Sequence, residues 1–199
     1  MSVQLHLFYA SQTPAALILR QAQGPLWRLI GWDRATDTLS PGQWMQHDIL
    51  VDRCALSPDG LHFLYFAVDE QWDRPSKGAY TVISSVPNFD ALALYPQGDV
   101  QGGGGYFVDN THYVIQSPTG TPDLVGKAPG LKRVNSMSGA AMTPRAARGF
   151  GKRRNVTAPN PQNYTTEGGK LFAPDGRMIV DLTRMEALWA GSAPKPLRA

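Results

Sequence analysis

At 199 residues, with 42% hydrophobic and 18% charged side chains, the chain fits one domain over 1–199 with a core of its own. No run approaches the roughly 18 apolar residues of a membrane helix, and the first residues lack the basic start and apolar stretch of a secretory signal. The single Cys excludes an internal disulfide, and together these features give the expectation of a cytoplasmic protein. The net charge of +3 hides an asymmetry: residues 1–100 carry 6 Lys/Arg and 10 Asp/Glu, net −4, and residues 101–199 carry 13 and 6, net +7. No acidic residue falls between Asp123 and Glu167, a stretch that holds Lys127, Lys132, Arg133, Arg145, Arg148, Lys152, Arg153 and Arg154.

In chain order, Leu5–Tyr9, Ala16–Arg20 and Trp27–Trp32 read as three strands, the second ended by Gly24-Pro25. Asp33–Thr38 supplies turn chemistry, with an Asx-type bond expected at either Asp. Ser40-Pro41-Gly42 reads as a loop, followed by Gln43-Trp44 and a polar connection. Two copies of one turn word come next in importance, Ser57-Pro58-Asp59-Gly60 and Ala173-Pro174-Asp175-Gly176, each between short apolar runs. Pro presets φ at the first central position, Asp bonds the local backbone, and Gly takes the positive φ that follows, so both words predict hairpins.

Ala79–Val86 is a β-branched strand, while Ala91–Pro96 fits either a buried strand or one helical turn. A glycine run, Gly102–Gly105, leads into a hairpin of Tyr106–Val108 and His112–Ile115 around Asp109-Asn110. Residues 117–169 change character and read as a long irregular basic segment. The last hairpin, 171–182, runs into a short helix candidate at Thr183–Trp189 and a loose tail at 192–199. The predicted class is therefore mainly β: antiparallel blade-like hairpins, as a partial propeller-like array, a sandwich or a barrel, interrupted by the basic loop. The core is expected to draw on Leu17, Leu19, Trp27, Leu29, Ile30, Leu56, Phe63, Tyr65, Val82, Ile83, Leu92, Leu94, Phe107, Val114, Phe172 and Ile179.

The words Leu29-Ile30-Gly31-Trp32-Asp33, followed by Ala35–Thr38, and Leu56-Ser57-Pro58-Asp59-Gly60, followed by an apolar strand, resemble repeat units of WD40-like β-propeller proteins. The wider stretch from about Leu17 to Val114, with Pro41-Gly42-Gln43-Trp44 and Ala91–Pro96 among its words, is similar to a set of small uncharacterised bacterial proteins. That resemblance implies a β architecture and no particular activity. A blade takes roughly 40–45 residues, so the chain has room for four at most.

Candidate chemistry is sparse. Cys54 lies in an apolar strand pattern, which reads as an inert core thiol. His6, His47, His62 and His112 show no metal-ligand spacing, and no metal or cofactor is expected. The glycine run lacks the Lys-Ser/Thr ending of a phosphate loop and reads as a place of close backbone packing. Asp69, Glu70 and Asp73 around Trp72 offer carboxylates for acid–base work on an unrecognised substrate, or simply a solvated loop with an exposed aromatic anchor.

Within the basic segment, Arg145, Arg148, Phe150, Lys152, Arg153 and Arg154 combine charge with a stacking ring. The leading expectation is a non-enzymatic binding module acting through protein–protein contact, regulatory or immunity-type in a bacterium. Trp72 and those six residues form its contact set, and the partner carries an acidic surface. RNA or DNA binding through 127–154 and a hydrolase with an acidic site are the alternatives.

Overall fold

The computed structural model describes residues 3–117, 125–135 and 163–185, with one complete 3-10 turn among them, at Val51–Arg53. None of their sheets closes on itself, and no helix among them is long and apolar enough to cross a membrane. The protein is mainly β, built from several largely antiparallel sheets.

The first sheet is a meander of β1 (Gln4–Tyr9), β2 (Ala15–Gln21), β3 (Trp27–Asp33) and β4 (Thr38–Met45), in that spatial order. The second contains β5 (Asp48–Ile49), β6 (Ala55–Leu56), β7 (His62–Val68), β8 (Ala79–Ser85), β9 (Ala91–Pro96) and β12 (Val125–Gly126). Its order is β12-β9-β8-β7-β5, with β6 also on β7. The third joins β10 (Gly105–Phe107) antiparallel to β11 (His112–Ile115), with β13 (Lys132–Arg133) parallel to β11. The fourth holds β14 (Thr165–Glu167), β15 (Lys170–Phe172) and β16 (Met178–Asp181).

Strand alternation places the first and second sheets each between two apolar layers. Leu17, Leu19, Trp27 and Leu29 from one face of the first sheet meet Phe63, Tyr65, Val82 and Leu94 of the second. The opposite face of the second sheet, through Leu64, Ile83 and Tyr95, meets Phe107, Tyr113 and Ile115 of the third. Ile18, Ile30 and Trp32, on the other face of the first sheet, meet Leu171 beside Leu182. The four sheets therefore stack in the order fourth, first, second, third. The C-terminal hairpins close over the N-terminal meander.

Of the expected core residues, Leu92, Phe172 and Ile179 are half-buried and the rest are buried. Both Pro-Asp-Gly words turn a hairpin. The Gly60 and Gly176 amides donate to the Ser57 and Ala173 carbonyls, both at 2.9 Å. The two glycines share a φ near +80°, at +82° and +83°. The first turn is docked on the rim of the first sheet, where Pro58 O accepts from Gln12 N at 2.9 Å and Asp59 O from Thr13 Oγ1 at 2.9 Å. The second stands in solvent.

Two expectations are corrected, and one open alternative is decided. Ser40–Gly42 is not a loop but the middle of β4, because β4 is an edge strand and tolerates a proline without an N–H. A bulge there sets Gly42 and Gln43 against the single residue Leu29, and Gln43 N donates to Pro87 O at 3.2 Å. A Cβ on Gly42 would fall 1.9 Å from that carbonyl oxygen, so only glycine fits. Ala91–Pro96 resolves as a strand, since β8 on one side and β12 on the other supply its backbone partners. Finally, 117–169 is not irregular throughout: β12 and β13 lie in it, each set by pairing with a distant strand that local sequence does not reveal, and β14 forms a tight hairpin with β15 across Gly168-Gly169. At the end of the last hairpin Asp181 Oδ1 accepts from Thr183 N at 2.9 Å and Thr183–Arg184 form a turn. The remainder of the helix candidate and the tail lie outside the described residues.

Candidate functional site

Arg145, Arg148, Phe150, Lys152, Arg153 and Arg154 lie outside the described residues, so of the expected contact set only Trp72 has a described position. It stands in the loop between β7 and β8, whose ends are tied by Asp69 N and Glu70 N donating to Gly78 O at 2.9 and 3.1 Å. The Asp69 carboxylate accepts from Gln71 N and from Ser76 Oγ, each at 3.0 Å. The indole lies against Gly78, where a Cβ would come within 2.3 Å of the ring, and Gly78 also has φ +75°. Sequence therefore fixes the loop twice, by an Asx turn and by a glycine that admits the ring. Trp72 stays 49% exposed, an ordered aromatic with a free face.

Both Asp69 oxygens are occupied within this loop, and among the described residues no three His, Cys, Asp or Glu side chains group so as to hold a metal. Cys54 is buried, its Sγ donating to Leu50 O at 3.4 Å, and burial pushes the thiol up to about 12. A thiol so raised is no nucleophile at neutral pH. His47 Nδ1 bonds Tyr80 OH, and burial lowers the pKa of both His47 and His62. The glycine run is a packing device. Cβ atoms on Gly103 and Gly105 would lie 2.1 Å from the Phe66 ring and 2.0 Å from Val114 O. Arg53, over that ring at 5.2 Å, donates to Val100 O and Gly102 O.

A second cluster lies on the outer face of the first sheet, the face toward the fourth. Ladder pairing sets Leu5, Arg20, Arg28 and Trp44 in one row across β1 to β4. Both guanidinium carbons stand over the Trp44 ring, Arg28 Cζ at 4.9 Å and Arg20 Cζ at 5.6 Å from its centroid. Arg20 is only 2% exposed, and donates from Nε to Leu182 O at 2.7 Å and from Nη2 to Thr183 O at 3.4 Å. Among the described residues, Arg20 Nη1 and Arg28 Nε are buried with no hydrogen-bond partner, and neither arginine makes an ion pair. Burial, and next the Arg28 charge, lowers the Arg20 pKa; burial lowers that of Arg28.

Local sequence barely marks this trio. Its one local signal is an arginine at an otherwise apolar position in each of two neighbouring strands, and the cross-strand register is needed to bring them together.

On the opposite side of the same strand ends, an open depression of about 470 Å³ is lined by Gln21, Trp27, Ile49, Leu50 and Val68 among others. It is largely apolar, and the Trp27 indole N–H is buried without a partner among the described residues.

No protein-family model, no curated protein and no solved structure matches this chain.

Proposed function

We propose that this chain is a non-enzymatic binding module, cytoplasmic, that acts through contact with a protein partner bearing an acidic surface. The observation that carries the reading is Trp72: a large aromatic held in a fixed loop with half its surface exposed. Such a side chain meets a partner without first losing conformational freedom, which is what aromatic anchors at interfaces provide. The run from Arg145 to Arg154, with no acid between Asp123 and Glu167, supplies the complementary charge and raises the association rate. The resemblance of the Trp-Asp and Pro-Asp-Gly words to propeller repeats, and the stacking of sheets, fit a scaffold that presents loops for recognition.

The test compares three tagged forms of the full chain expressed in their native cell: wild type, Trp72→Ala, and a form with Arg145, Arg148, Lys152, Arg153 and Arg154 changed to Ala. The reading expects one protein, enriched by wild type, to be lost with both variants and to bind purified wild type directly. Identical recovery by all three forms would overturn it. Nuclease-sensitive recovery, together with salt-dependent RNA or DNA binding lost only in the five-site variant, would transfer the function to nucleic acid.

A further inference from the structure

We propose that Arg20 and Arg28, held against Trp44, form a binding site for an oxyanion, a carboxylate or phosphate group, on the outer face of the first sheet. The site is separate from Trp72 and does not depend on the reading given above.

Three observations converge on it. Arg20 and Arg28 are direct ladder partners, and like charges directly opposite each other destabilise a sheet. No carboxylate among the described residues neutralises them, although Arg20 is almost wholly buried and a buried charge calls for a counter-charge. Each also keeps a buried donor unused, Nη1 of Arg20 and Nε of Arg28.

The neighbours explain how the pair is held. The Leu182 and Thr183 carbonyls fix the Arg20 fork from the C-terminal side, and the Trp44 ring lies beneath both guanidinium groups. A planar, pre-oriented pair of forks matches the geometry of carboxylate and phosphate oxygens. Arginines that merely covered a tryptophan with their stems would keep their heads in water, which Arg20 does not do.

The experiment supplies such an oxyanion free in solution. The full chain, in dilute buffer free of multivalent anions, is titrated with inorganic phosphate and with glutarate. Arginine side-chain Nε–H resonances and the melting temperature are followed, with sodium chloride at matched ionic strength as control. The expected result is saturable movement of two arginine resonances and a rise in melting temperature that chloride does not reproduce. Arg28→Gln, at the half-buried member of the pair, weakens the response by about tenfold or more. Trp44→Phe keeps a ring and weakens it less. The proposal is overturned if wild type does not respond saturably, or if Arg28→Gln responds as wild type does.

Discussion

The two faces of the first sheet use the same four strands to different ends. The inner face offers Leu17, Leu19, Trp27 and Leu29 to the second sheet, with His6 and Gln21 toward one end of it. The outer face begins in the same way, with Ile18, Ile30 and Trp32 under Leu171, but its last row places Arg20 and Arg28 beside Trp44. Because successive residues of a strand point to opposite faces, Arg28 and Leu29 are chain neighbours that belong to different environments. A strand whose inner face is fixed by packing can carry charge on its outer face, at a cost that the rest of the core offsets.

Mutations on the two faces should separate accordingly. Leu29→Ala, at a fully buried site in the largest layer, should lower the unfolding free energy by about 3 to 4 kcal/mol in denaturant titration. Leu171→Ala, which covers the outer face from a three-stranded sheet, should cost about 2 to 3 kcal/mol. Hydrogen exchange should show its loss of protection confined to residues 165–182, leaving β7 and β8 protected. Arg20→Met removes one of two opposed charges but also the bonds to the Leu182 and Thr183 carbonyls, so a net loss of about 1 kcal/mol is expected.

The smallest effect is with pH. The outer-face arginines stay charged, so dependence between pH 5 and 8 should come from His47 and His62 of the second-sheet region, whose pKa values burial lowers from 6.5. The unfolded chain then binds protons that the folded chain refuses, so stability is full above 6.5 and falls as the pH drops from there toward the folded values. His62→Gln should flatten that decline, as read by melting temperature across the range. An unchanged slope would remove His62 from the account.

Much of this architecture was legible in local sequence. β1 to β3, β7, β8 and both Pro-Asp-Gly hairpins follow from alternation and turn chemistry, because each is set by residues within a few positions of one another. β4 was not legible, since Pro41 and Gly42 look like a loop until the edge position and the approach of Pro87 are known. Nor was the difference between the two turns. Gly60 sits where a Cβ would meet Ala15 Cβ at 2.6 Å, while Gly176 has nothing within 4 Å, and one sequence word serves both. β12 and β13 are two-residue additions to distant strands and carry no local signal at all. For the sites, Trp72 was legible as an aromatic in a polar loop. Arg20 and Arg28 were each visible only as an interruption, and their meeting on Trp44 needed the register across three strands.

The most direct measurement pairs Arg28→Gln with Leu29→Ala, two adjacent positions on β3, and records for each both the unfolding free energy and the midpoint for phosphate. Arg28→Gln should stay within about 0.5 kcal/mol of wild type in stability while losing the phosphate response, and Leu29→Ala should lose stability and keep the response. Equal destabilisation by both, or a phosphate midpoint that moves with Leu29 and not with Arg28, would contradict a first sheet with one face for packing and one for recognition.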